Sequence, residues 1–137
     1  MDHNFRFGNG NIHYSDQGSG NVIVLLHGYL ETSKVWNSFA ALLASNFRVL
    51  SVDLPGHGSS DIFGPVHTME FIAEVLNSLV NSLDINKIIL TGHSLGGYVA
   101  LAFAELYPEM LSGYCLFHSH PFADAQSALD KREREIK

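Results

Sequence analysis

Lys87-Ile88-Ile89-Leu90-Thr91-Gly92-His93-Ser94-Leu95-Gly96-Gly97 is the stretch on which the fold turns. Within its first five residues Ile88-Ile89-Leu90 run apolar in succession, as in a strand covered on both faces. Leu95 to Leu106 then carries Ala and Gly on one helical face and stops before Pro108. A serine therefore sits at a sharp passage from strand to helix, between Gly92 and Gly96. A side chain at either glycine would collide with the neighbouring strand or helix. The start of a helix also offers free N–H groups and a dipole that favour developing negative charge. The spacing marks Ser94 as a candidate nucleophile, with Gly92, His93 and Gly96 shaping its turn. The alternative reading is a plain turn serine, since Gly-x-Ser-x-Gly alone is a weak signal.

Outward from this point the chain alternates strand and helix. Val22 to Leu26 and Phe47 to Val52 read as two further buried strands, and Leu111 to His118 as a fourth. Helical spacing runs through Val35, Trp36, Phe39, Ala40, Leu42 and Leu43, within Ser33 to Ala44, and again through Phe71, Ile72, Val75, Leu76, Leu79, Val80 and Leu83. Thr68 is the expected N-cap of the latter. Ahead of the series, Phe5, Phe7, Ile12 and Tyr14 alternate around Gly8-Asn9-Gly10, which predicts a β-hairpin with an Asn-Gly turn. The expected fold is α/β, a mostly parallel doubly wound sheet with an N-terminal β-hairpin. Residues 1–122 form this core, and 123–137 begin a further helix. In such sheets functional groups gather at the carboxyl ends of strands.

Two more motifs fall on that edge. His27-Gly28-Tyr29 follows the Val22–Leu26 strand, and Gly28 lets its loop approach the nucleophile closely. The Tyr29 and Leu95 amides are the candidate oxyanion donors; the bland reading is a glycine turn beside a packed histidine. Asp53-Leu54-Pro55-Gly56-His57-Gly58-Ser59-Ser60 forms a rigid turn in which Asp53 satisfies local backbone donors. Its spacing demands no catalysis.

The three motifs, His27-Gly28-Tyr29, Asp53 to Ser59 and Gly92 to Gly97, resemble the α/β-hydrolase superfamily in order and spacing, from about Phe5 to His118. The resemblance is greatest to small bacterial cofactor-free esterases, thioesterases and C–C hydrolases. It implies Ser94 as nucleophile, Tyr29 and Leu95 as oxyanion donors, and no cofactor. It argues against dehalogenases and epoxide hydrolases, which use aspartate where this chain has Ser94. It also implies a catalytic acid and histidine beyond residue 137, with a lid beginning near residues 123–137. The 137 residues alone are accordingly expected to be nearly inert, because a serine without a base is a weak nucleophile.

His118, His120 and Trp36 are candidate pocket residues. His118 and His120 with Asp53 also permit a triad outside the family arrangement. His118-x-His120 could chelate a metal, but no third ligand accompanies them, so no metal is expected. His3, His13 and His67 read as surface or packing residues, and Cys115 as a core residue.

Bulk properties bound the function. The net charge is −6, and eight basic residues lie scattered, which disfavours nucleic acid as a partner. A single cysteine excludes an internal disulfide. The N-terminus lacks a secretory pattern and the longest apolar run is far too short for a bilayer, so a cytoplasmic protein with a small-molecule substrate is expected. Leu111 to His118 would present an unpaired edge, suited to a second copy or a C-terminal fragment. The rival to an enzyme is a non-catalytic α/β module that binds at this edge.

Overall fold

The computed structural model describes residues 2–117. Within them the chain forms β1 (Asp2–Phe7), β2 (Gly10–Gln17), β3 (Val22–Leu26), a 3-10 turn (Ser33–Trp36), α1 (Asn37–Leu43), β4 (Arg48–Val52), α2 (Met69–Ser82), β5 (Ile88–His93), α3 (Leu95–Leu106) and β6 (Leu111–Phe117), the last preceded by a 3-10 turn at Pro108–Met110. One six-stranded sheet results, in the order β1-β2-β4-β3-β5-β6. The β1–β2 and β2–β4 pairs are antiparallel, and β4–β3, β3–β5 and β5–β6 are parallel. This is the expected α/β architecture.

Every residue of β3 is buried, because helices cover both faces of the sheet. On one face α2 and α3 pack Ile72, Val75, Leu76, Leu79, Val99 and Phe103 against Val24, Leu26, Leu50 and Leu90. On the other, Trp36 and Ala40 cover Ile23, Leu25 and Val49. α3 lies close to the sheet because Gly96, Gly97 and Ala100 form its buried side. Thr68 caps α2 as expected, its Oγ1 accepting the Phe71 N–H at 3.0 Å.

Three expectations need correction. The hairpin turn is Gly8-Asn9, not Asn9-Gly10: Phe7 pairs with Gly10, and Gly8 takes the left-handed first position at φ 56°. The Ser33–Ala44 segment is a 3-10 turn followed by a short α-helix, with Thr32 Oγ1 accepting the Lys34 N–H at 3.2 Å. Cys115 is exposed rather than core. Strand β6 pairs with β5 alone among the described residues, with a register shift opposite Ile88 and Ile89, and its burial does not alternate through Tyr114 and Cys115. His118, His120 and the segment 123–137 lie outside the described residues. No described helix is long and apolar enough to cross a membrane.

Candidate active site

Strands β3 and β5 are adjacent, parallel and in register, Leu26 opposite Gly92. The loops that leave their carboxyl ends are therefore neighbours. Ser94 stands between β5 and α3 at φ 55°, ψ −110°, outside the conformations that L-residues favour. Such a backbone costs about 1–3 kcal/mol and persists only where its surroundings over-determine it. Here they do. A Cβ on Gly92 would stand 2.5 Å from the Gly97 nitrogen, and one on Gly96 would stand 2.5 Å from Leu26 O and 2.8 Å from His27 O. The Gly96 N–H donates to His27 O at 3.1 Å, bolting the start of α3 to the end of β3.

The loop after β3 is equally constrained. His27 is fully buried; its Nδ1–H donates to Gly28 O at 2.7 Å, and its Nε2 accepts the Leu54 N–H at 2.9 Å. One nitrogen that donates and one that accepts define a neutral imidazole. Burial pushes its pKa below the ordinary 6.5, opposed by the bond to Gly28, with His57 adding to the depression. His27 is thus a structural clamp, with no nitrogen left to act as a base.

Gly28 to Glu31 form a turn closed by the Glu31 N–H on Gly28 O at 3.2 Å, with Leu30 left-handed at φ 62°. The Gly28 N–H in turn donates to Glu31 Oε1 at 2.8 Å. Because a peptide unit is planar, holding Gly28 O from two sides also aims the Tyr29 N–H on the opposite side of the same plane. Among the described residues, the backbone bonding here uses the amides of Gly28, Glu31, Gly96, Gly97 and Tyr98. The Tyr29 and Leu95 amides are left over. Leu95 follows Ser94 in sequence, and Tyr29 belongs to the loop that leaves the neighbouring strand β3.

Asp53 does what its sequence context suggested. Its carboxylate accepts the Ser33 N–H at 2.7 Å, the Ser59 N–H at 3.0 Å and His13 Nδ1–H at 3.0 Å. Burial works to raise its pKa, but these hydrogen bonds outweigh it and hold the pKa below 3.8. His67 is likewise a packing residue, stacked on Phe71 and accepting the Phe63 N–H. Trp36 is buried in the second core cluster, with its ring against those of Phe39 and Phe117. Glu31 was not legible as a site residue. No spacing rule marks a carboxylate three residues after His27-Gly28, and only folding brings it to His93. The described residues contain no cluster of three or more His, Cys, Asp or Glu able to hold a metal.

The family model of the alpha/beta hydrolase fold matches residues 21–133. The chain belongs to the alpha/beta hydrolase family. Among other alpha/beta hydrolases, it superposes on an esterase from Thermogutta terrifontis with a TM-score of 0.86 at 33% identity, covering 98% of this chain and 51% of that one. It is 39% identical over 105 residues to 2-hydroxy-6-oxononadienedioate/2-hydroxy-6-oxononatrienedioate hydrolase 1 of Pseudomonas putida, covering 72% of this chain and 37% of that protein. A serine hydrolase-like protein of Danio rerio is 32% identical over 105 residues, 75% of this chain and 32% of its own. The chain thus spans about a third of the length of these curated alpha/beta hydrolase relatives and about half of the solved structure.

Proposed function

We propose that the chain carries the nucleophile and oxyanion hole of a serine hydrolase acting on an ester, thioester or activated C–C bond. The strained backbone of Ser94 supports this best, because a serine that only terminates a strand has no need of it. In the reaction, Ser94 Oγ bonds to the substrate carbonyl carbon as its proton passes to a base. Negative charge moves onto the carbonyl oxygen, where the Tyr29 and Leu95 N–H groups meet it. The bond to the leaving group then breaks, the proton goes to that group, and water releases the acyl chain from Ser94. The resemblance puts the base and the acid that orients it outside residues 2–117, and the buried His27, with both nitrogens engaged, is not that base. The esterase from Thermogutta terrifontis and the Pseudomonas putida hydrolase give the substrate classes their support. A serine at the elbow favours a carbonyl substrate over an epoxide, whose opening in this family uses a carboxylate at that position.

A fluorophosphonate added to the full-length protein, followed by peptide mapping, tests the assignment. The label is expected on Ser94, and Ser94→Ala should lower turnover of short p-nitrophenyl esters by about 10³-fold or more. A label on Ser59 or Ser119 instead would overturn it.

A further inference from the structure

The Glu31 carboxylate reaches two loops at once. Its Oε1 accepts the Gly28 N–H at 2.8 Å and lies 3.1 Å from His93 Nδ1, across 62 residues of sequence. A carboxylate only accepts, so His93 Nδ1 carries the shared proton. Gly28 is enclosed by the pair: a Cβ there would stand 2.5 Å from Glu31 Oε1 and 3.0 Å from His93 Nδ1. Gly28 directly precedes Tyr29, and His93 directly precedes Ser94. One oxygen atom thus joins the loop that aims one leftover amide to the turn that holds the serine and the other.

We propose that Glu31 and His93 are positioning residues that fix the Tyr29 amide relative to Ser94 and the Leu95 amide; the inference rests on the serine-hydrolase reading above. The strut acts through the backbone. Glu31 holds Gly28 from both sides, its Oε1 accepting the Gly28 N–H and its own N–H donating to Gly28 O, so the Gly28–Tyr29 unit cannot swing away from β5. His93 holds Glu31, so the carboxylate does not drift into solvent, to which both side chains remain partly open. Without the strut the two amides still exist, but their separation is no longer set for a tetrahedral oxyanion. Misplacement on the scale of 1 Å costs about 10²-fold in rate. Binding of the uncharged ground state should scarcely change, because the amides meet full charge only as the reaction proceeds.

Fluorophosphonate kinetics in the full-length protein test this. In that step the Ser94 Oγ–P bond forms and the P–F bond breaks, fluoride departing with the serine proton. Glu31→Ala should lower the maximal labelling rate about 10- to 100-fold and leave the half-saturating probe concentration within about twofold. Glu31→Gln, which keeps an acceptor for the Gly28 N–H, should recover most of the loss. His93→Ala should lose about 10-fold, and the double variant no more than Glu31→Ala alone, since both remove one strut. A wild-type protein unlabelled at Ser94 sinks the serine-hydrolase reading itself. Normal wild-type labelling with Glu31→Ala at the wild-type rate overturns the strut alone, as does a loss confined to probe affinity. If Glu31→Ala does not fold, His93→Ala decides, read by labelling rate together with backbone amide exchange through residues 28–31. Slower labelling with faster exchange supports the strut, and no change in either overturns it.

Discussion

His27 Nε2 lies 2.9 Å from the Leu54 amide nitrogen and accepts its proton in the buried interior. Adding a proton to that nitrogen destroys the bond and places a charge where burial disfavours it. With a folded pKa depressed below 6.5, the unfolded chain takes up the proton first. The His27 contribution is therefore complete above pH 6.5 and is lost as pH falls through the folded value. Urea unfolding at a series of pH values should show stability dropping below about pH 6.5. His27→Ala should cost about 2–4 kcal/mol at pH 8 and flatten that part of the profile.

Asp53 titrates in a lower window. Its depressed pKa means that its contribution is present above 3.8 and is lost as pH falls through the folded value. Asp53→Ala leaves the Ser33 and Ser59 amides and His13 without their acceptor. A loss of about 2–4 kcal/mol in urea unfolding at pH 7 is expected. A change below 0.5 kcal/mol would mean that water replaces the carboxylate fully.

Gly96→Ala tests the packing between α3 and β3. Its methyl group would meet Leu26 O, Leu26 Cβ and His27 O, backbone and near-backbone atoms that have little freedom to yield. Destabilisation by about 1–3 kcal/mol is expected, together with slower fluorophosphonate labelling as Leu95 shifts. Wild-type values for both would show that α3 can slide without harm.

Ser94→Gly should separate strain from chemistry. Glycine adopts φ 55° without the penalty that serine carries. Relief of strain outweighs the added freedom of the unfolded chain, so a gain of up to about 1 kcal/mol is expected. All labelling should vanish. A loss of more than 1 kcal/mol by thermal or urea unfolding would contradict a strained serine.

The edge of β6 concerns the 137-residue chain by itself. Leu111 to Phe117 has no charge and no proline, and exposes Tyr114, Cys115 and Phe117. Sedimentation over a concentration series should reveal association, with the reaction of Cys115 toward a thiol reagent slowing as it proceeds. A stable monomer at high concentration would show that the edge is protected.

What the sequence disclosed follows from where burial is two-sided. β3 and β5 read as strands because helices on both faces require apolar residues at successive positions. The elbow was legible because two glycines are forced by backbone collisions that leave no alternative residue. Cys115 misled, since alternation reports burial only where one face is packed and the other wet. Glu31 left no trace: its two partners come from different loops, and a contact between loops obeys no periodicity. The left-handed Leu30 was also hidden, because an apolar residue is the least expected occupant of that conformation.

The register of β3 with β5 carries a consequence for how the molecule comes into being. β3 is synthesised before β4 and β5, yet it ends up between them, joined to both by parallel pairing. Each partner must be recruited across an intervening helix, and such non-local closures are slow steps. The first-made of the three central strands thus waits for β5 to be enclosed, and until β5 docks its five apolar residues have one bare flank. The loops that leave the carboxyl ends of β3 and β5 share that history. Neither exists in usable form on a nascent chain, and both mature in the single event that seals the middle of the sheet. A substitution that delays β5 docking would therefore reduce the yield of competent molecules while leaving each one that succeeds as active as before.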